Sequence, residues 1–242
     1  MKVYVIGLGP GGEEQMTLRA VRALAQCDCV AGYPLYLELI DGLIAGKERI
    51  ATPMKREVER CTAARDAALQ GKTVAMVSSG DAGVYGMAGV MHEVCADYPQ
   101  INIEVIPGVT AACAGAAVLG APLIHDFAVI SLSDLLTPWE KIEKRLLAAA
   151  EADFVICLYN PSSKKRADYL RRACDLILQH RDGSTPCGTA HSIGREGEHG
   201  EYCTLSALRG KQVDMFTTVI IGNSQTRMVN GKMVTPRGYR AV

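Results

Sequence analysis

The run Thr73-Val74-Ala75-Met76-Val77 passes without a break into Ser78-Ser79-Gly80-Asp81-Ala82-Gly83-Val84-Tyr85-Gly86-Met87-Ala88-Gly89. A near-continuous apolar run predicts a strand buried on both faces, with helices above and below it. The small residues after it predict a tight turn at the strand's carboxyl end, leading into a helix over 84–96. In open α/β sheets, ligands bind just outside such ends. Small residues there let the backbone approach a ligand closely. Asp81, the one acid in the turn, suits a ligand hydroxyl or amine, or a cap on the following helix.

The same grammar recurs along the chain. Strands are predicted at 2–8, 29–31, 73–78 and 101–106. Helices are predicted at 17–26, 35–44, 55–70, 84–96 and 110–119. The alternation breaks at Gly120-Ala121-Pro122, which divides the chain into domains 1–120 and 121–242. The second half predicts strands at 127–132, 154–159, 188–191 and 217–222, and helices at 139–150 and 164–180. Asn230-Gly231 supplies the two positive φ angles of a type I′ turn, so 227–234 reads as a hairpin. The fold class is α/β: two α/β domains, the first mostly parallel and the second with a mixed sheet.

Several function classes are disfavoured. Formal net charge is zero and the pI is near 6.9, without the basic excess of nucleic-acid binders. Lys164, Lys165, Arg166, Arg171 and Arg172 read as a solvated helix face. No apolar run reaches the ~18 residues of a membrane span. The N-terminus enters a strand at once with no leader pattern, so a cytoplasmic protein is expected. The nine cysteines are scattered without a C-x-x-C; they read as buried free thiols rather than a zinc site, and no protein-bound metal is expected. Nucleophile-elbow, HExxH and P-loop motifs are absent from the sequence.

Seven strand ends carry small or polar turns. Gly7-Leu8-Gly9-Pro10-Gly11-Gly12 satisfies G-x-G-x-x-G, the mark of a dinucleotide site. Pro10 stiffens that loop, and the second strand ends Ala31-Gly32-Tyr33 without the acid that would hold a ribose. The others are Ser78–Gly89 and the segments 106–117, 130–139, 158–166, 188–195 and 216–223. Within them Thr137 reads as an N-cap, Pro138 as a first-turn residue, and Trp139 as core or interface. Seven such turns predict a cleft between the two domains, with a ligand contacted from both sides.

Gly7-Leu8-Gly9-Pro10-Gly11, Ser79-Gly80-Asp81 with Val84-Tyr85-Gly86, and Pro107-Gly108-Val109-Thr110-Ala111 together resemble the tetrapyrrole methyltransferases. The resemblance spans essentially the whole chain. Ser78–Gly89, the stretches 125–139, 159–161 and 235–239, and a Ser-Gly-Asp-Ala-Gly turn where other members have Gly-Gly-Asp-Pro look closest to one branch. That branch methylates carbon 17 of precorrin-3B, or of cobalt-factor III, and contracts the ring in cobalamin biosynthesis.

The resemblance implies a homodimer that takes S-adenosyl-L-methionine as methyl donor and a corrin-precursor tetrapyrrole as substrate. By motif position, Pro10 borders the substrate trough. Ser79, Gly80, Asp81 and Val84 hold the methionine part, with Thr110 and Ala111 beside it. Asn160, Ala190, His191 and Thr218 contact the adenosine side, largely through backbone groups. Ring contraction requires proton transfers, and the candidates are Asp81, Ser133, Asp134 and His125, with Tyr33 behind them. Lys55, Arg56 and Arg60 on one helix face, or Lys164 to Arg166, are expected to anchor substrate carboxylates. The rivals are methylation at another ring carbon, a nicotinamide-dependent reductase using the Gly7–Gly12 loop, and a scaffold protein with a vestigial cleft.

Overall fold

The computed structural model describes residues 1–163 and 167–239. The described residues form two compact units, one ending at Ala111 and the other beginning at Ala112.

The first unit carries β1 (Lys2–Gly7), β2 (Cys29–Gly32), β3 (Glu48–Ala51), β4 (Thr73–Ser78) and β5 (Asn102–Ile106). They make one sheet in the order β3-β2-β4-β1-β5, parallel throughout. Side chains alternate across it. Val3, Val5, Cys29, Ala31, Val74 and Met76 enter one buried cluster; Ile6, Val30, Ala75 and Val77 enter another. Helices α3 (Glu57–Leu69) and α4 (Ala88–Val94) supply the first cluster with Cys61, Ala64 and Met91. Helices α1 (Leu18–Ala25) and α2 (Pro34–Glu38) supply the second with Ala20, Leu24 and Leu37. Burial on both faces is why these strands read as continuous apolar runs.

Three departures from the sequence reading have local causes. Strand β3 was not predicted, because Glu48-Arg49-Ile50-Ala51 is an edge strand with a polar sequence. The predicted helix over 35–44 ends at Glu38 and continues as a 3-10 turn, Asp41–Ile44. Helix α4 begins four residues later than predicted, at Ala88, because the preceding turn loops out through Tyr85 at φ 53°.

Helix α5 (Ala111–Leu119) packs on the second unit's sheet. A Cβ at Gly115 would lie 3.2 Å from Ile193 and 3.3 Å from Ala190, and one at Gly188 would lie 2.5 Å from Leu119. The compact units therefore divide at Ala111, one helix before the division read at Gly120.

After β6 (Gly120–Ala121) come β7 (Phe127–Ser131), α6 (Trp139–Glu151), β8 (Val155–Tyr159), α7 (Tyr169–Ile177), β9 (Pro186–His191), β10 (His199–Thr204), α8 (Leu205–Leu208) and β11 (Thr217–Ile221). The sheet order is β10-β9-β11-β8-β7, with β7 and β8 parallel and the other pairs antiparallel. Ile156, Leu158, Cys187, Val219 and Ile221 face α6, α7 and α8. The hairpin of β12 (Arg227–Val229) and β13 (Lys232–Val234) turns on Asn230 and Gly231 at φ 49° and 75°, and β13 pairs with β6. Strand β10 was not predicted; it is an edge strand of polar sequence. Thr137 does not cap α6, whose N-cap position is Pro138. The predicted helix start at 164–166 lies outside the described residues.

Candidate functional site

Because the first sheet is all parallel, the carboxyl ends of its five strands share one edge. Three loops lock together there. Leu8 N–H donates to Ser78 O at 2.9 Å, Gly9 N–H to Gly80 O at 3.0 Å, and Gly80 N–H to Gly9 O at 2.7 Å. A Cβ at Gly7 would stand 2.6 Å from Gly80 O and 2.7 Å from Gly108 N; one at Gly108 would stand 2.2 Å from Gly80 O. These contacts leave no room for any side chain. Gly9 and Gly80 also hold φ of 75° and 67°, where glycine is favoured.

This geometry gives the glycines after β1 another purpose than the one the dinucleotide fingerprint assigns. In that fingerprint the third glycine permits close helix packing. Gly12 has nothing within 4 Å of its would-be Cβ. Gly32, at the end of β2, is packed against Val77 and Leu37, and no acid stands there.

Asp81 is engaged on both carboxylate oxygens. Oδ1 accepts from Gly83 N–H at 2.8 Å and Oδ2 from Gly108 N–H at 3.0 Å. It therefore ties the β4 loop to the β5 loop rather than capping α4. Around it, Pro10 and Gly80 are buried, Ser79 and Thr110 are half-buried, and Val84 is exposed. Ser78 Oγ is buried with no hydrogen-bond partner among the described residues. Tyr33 is the N-cap residue of α2, its ring edge-on to Tyr36.

In the second unit, β7, β8 and β9 run the same way, so Ser131, Asn160 and His191 share an edge with the start of β11. Ser131 Oγ accepts from Asn160 Nδ2 at 2.9 Å and from Ser133 N–H at 3.2 Å. Asn160 holds a left-handed φ of 52° that turns the chain at the end of β8. Tyr159 OH accepts from Ala112 N–H at 2.6 Å, satisfying an orphan donor at the start of α5. Asp134 accepts from Tyr169 OH at 2.6 Å. Tyr169 packs on Trp139, and Arg172 lies over the Trp139 ring at 4.1 Å. Ala190 and Thr218 are buried beneath α5.

At that edge the structure shows a pair that the sequence reading missed. His191 Nε2 lies 3.0 Å from Asp214 Oδ2. Asp214 Oδ1 accepts from Thr217 Oγ1 at 2.8 Å and Phe216 N–H at 2.9 Å. Burial opposes its charge, yet these bonds from His191, Thr217 and Phe216 hold its carboxyl below the ordinary range. His191 was singled out in the sequence; Asp214 stands in the polar segment just before a strand, and only the fold brings it to the imidazole.

His125 does not join Ser133 and Asp134. It precedes β7 while they follow it, so the five-residue strand, roughly 17 Å long, separates them. It lines an open cavity of about 470 Å³ with Phe127, Phe154 and Arg237. The basic trio divides as well. Lys55 and Arg56 precede α3, and Arg56 pairs with Glu59 at 2.5 Å. Arg60 is 4% exposed and spent on Thr52 Oγ1, Thr52 O and Pro53 O. It braces a loop and faces no solvent. Lys164, Lys165 and Arg166 lie outside the described residues.

Two α/β units whose strand-edge loops present bare backbone and a few fixed polar groups define an α/β protein of the kind that receives ligands at strand ends. The family model of the Tetrapyrrole (Corrin/Porphyrin) Methylases matches residues 2–209, and the chain belongs to that family. A probable cobalt-factor III C(17)-methyltransferase of Salmonella typhimurium is 49% identical over 236 residues, covering 97% of this chain and 98% of its own. A precorrin-3B C(17)-methyltransferase of Sinorhizobium sp is 41% identical over 246 residues, covering 98% and 96%. The crystal structure of the methyltransferase CobJ superposes with a TM-score of 0.88 at 36% identity, covering 97% of this chain and 99% of its own.

Proposed function

We propose that this chain transfers the methyl group of S-adenosylmethionine to carbon 17 of precorrin-3B or cobalt-factor III, with ring contraction, in cobalamin biosynthesis. The observation that carries the reading is end-to-end similarity, at 49% identity, to a relative named for that reaction. The strand edges suit such a cofactor. They offer glycine backbone at Gly7, Gly9, Gly80 and Gly108, and two buried polar atoms, Ser78 Oγ and His191 Nδ1, without a hydrogen-bond partner among the described residues. A nucleoside bearing hydroxyl and amine donors matches them better than a purely apolar ligand does.

In this reading, Pro10, Ser79, Gly80, Val84, Thr110 and Ala111 of the first unit hold the methionine part and border the substrate. Asn160, Ala190, His191 and Thr218 of the second unit hold the adenosine. The bound cofactor supplies a methyl group already activated on a sulfonium. The chain's task is to align that methyl with a nucleophilic ring carbon, about 3 Å away, and to exclude water. Asp81 keeps its two loops in register, so its part is positional. Ser133 and Asp134 remain the candidates for moving protons, Asp134 with its charge steadied by Tyr169 OH. His125 stands at the far edge of its sheet, and we assign it no part. The same reading carries a homodimer, which light scattering on the purified protein tests.

The deciding experiment is an anaerobic turnover assay with S-adenosylmethionine, offering precorrin-3B and cobalt-factor III in separate tubes. Gain of one methyl with a contracted-ring spectrum in either tube supports the reading and identifies the substrate. Absence of methyl gain in both, while the cofactor binds, overturns the substrate assignment.

A further inference from the structure

Two stretches singled out in the sequence, 125–139 and 235–239, meet at a place the proposed function leaves unused. The open cavity of about 470 Å³ lies at the amino ends of β7 and β8, the opposite ends of those strands from Ser131 and Tyr159. Its volume is that of a small-molecule site. Ile124, Phe127 and Phe154 make its walls apolar; His125, Asp126 and Arg237 make them polar.

The frame of this cavity is fixed. Asp126 O accepts from Val155 N–H at 3.1 Å, and Phe154 O accepts from the buried Arg181 at 2.8 Å. Thr235 is wholly buried. Its N–H donates to Ala121 O at 3.2 Å, and its hydroxyl meets Thr226 Oγ1 at 2.7 Å. Arg237 follows two residues later.

The charged side chains are not spent on that frame. Arg237 is exposed and makes no hydrogen bond or ion pair among the described residues, and neither does the Asp126 carboxylate. The two charges line one cavity without pairing with each other. Asp153, the carboxylate that feels the His125 charge, is spent on Arg181 and Ser224. His125 Nε2 is buried with no hydrogen-bond partner among the described residues. A buried lone pair costs less than a buried N–H without an acceptor, so the proton rests on Nδ1, the less enclosed nitrogen. Ile124 and Phe127 are 44% and 39% exposed, which leaves apolar surface open beside an uncommitted guanidinium.

We propose that this cavity binds a small organic carboxylate, with its charge on the Arg237 guanidinium, an oxygen accepting from His125 Nδ1–H, and its apolar body on Phe127 and Phe154. The planar fork of an arginine matches a carboxylate in two parallel bonds. Asp126 weighs against phosphate, because it repels a dianion more strongly than a monoanion. The site stands independently of the proposed function, whose candidate contacts in this unit lie at the other ends of the strands.

The test is NMR of the full chain carrying carbon-13 methyl-labelled isoleucine, titrated with benzoate as the probe. The Ile124 signal is identified by its loss in Ile124→Val. It is expected to shift and saturate with a dissociation constant on the order of 1–10 mM, as suits a ligand so small. Benzamide, the same body without the charge, and acetate, the charge without the body, should each bind at least about tenfold more weakly. Arg237→Gln should weaken benzoate by about tenfold as well. Because Arg237 is exposed and unpaired, that variant should melt as the wild type does. An Ile124 signal that benzoate leaves unmoved overturns the proposal. So does benzamide binding as well as benzoate, which marks an apolar cleft only, or inorganic phosphate binding as well as benzoate, which marks an anion patch only. Benzoate binding unchanged in Arg237→Gln overturns it too.

Discussion

Asp81 reaches across to Gly108. Its Oδ2 accepts from the Gly108 N–H at 3.0 Å while Oδ1 accepts from Gly83 at 2.8 Å, so one side chain sets the spacing of two loops. Replacing Asp81 with Ala should destabilise the protein by about 1–2 kcal/mol, and Asp81→Asn, which keeps one acceptor, by about half as much. Cofactor affinity should fall in the same order, since the loops drift apart together. Thermal denaturation and calorimetry with S-adenosylhomocysteine check both. An Ala variant with unchanged melting and unchanged affinity would show that the tie does nothing.

The glycines after β1 and β5 should behave unequally. Gly108→Ala forces a methyl to 2.2 Å from Gly80 O and should cost about 3 kcal/mol. Gly12→Ala meets nothing within 4 Å, at an ordinary φ of −75°, and should change stability by about 0.5 kcal/mol or less. Urea unfolding of the two variants separates a packing role from a dinucleotide fingerprint.

Asp153 and Arg181 predict acid sensitivity. Arg181 is buried, donates to Ala150 O, Phe154 O and Gly222 O, and pairs with Asp153 at 2.6 Å. Burial opposes the charge of Asp153. Hydrogen bonds from Ser224, and the Arg181 charge, nonetheless hold its carboxyl below the ordinary 3.8. A depressed carboxyl contributes stability that is fully present above its unfolded value and is lost as pH falls through the folded one. Melting temperature should therefore drop below about pH 4, and Asp153→Asn should flatten that drop while lowering stability at neutral pH. Arg181→Met should cost about 3 kcal/mol or more, because it leaves Asp153 without its cation and three carbonyls without a donor. A pH–melting series on the two variants reads both effects.

Thiol reactivity should be confined. Seven of the nine cysteines are buried, Cys203 is partly covered, and Cys113 is exposed. Burial pushes the thiols of Cys27, Cys61, Cys157 and Cys174 up to about 12 and that of Cys29 to about 11. Ellman's reagent on the native protein at pH 8 should titrate one thiol quickly, at Cys113, and the rest only in denaturant. Rapid modification of several thiols in the native state would contradict this burial.

The sequence carried the parallel core of the first unit plainly, because a strand covered on both faces leaves an unbroken apolar run such as Val74–Val77. It hid β3 and β10, because an edge strand is half solvated and its polar residues mimic a loop. The turns that hold the candidate site were visible as small-residue clusters, yet their purpose was not. Gly7 and Gly108 look like any flexible glycine until their backbones are seen pressed together. Asp81 could be singled out as the lone acid of its turn, but its partner Gly108 N–H lies 27 residues away. Asp214 was overlooked for the same reason, being meaningful only through a histidine 23 residues earlier. His125, at the wrong end of its strand, shows the converse. Proximity in sequence to Ser133 and Asp134 is not proximity in space when a strand runs between them.

The seam where Gly7, Gly80 and Gly108 meet also limits how this edge can be altered. Neither Gly7 nor Gly108 can gain a side chain, and none of the three loops can shift by an ångström, unless its neighbours yield at the same moment. A chimera that exchanges a single loop with a relative of different loop geometry should fold poorly, whereas one that exchanges all three should not. The heritable part is the trio.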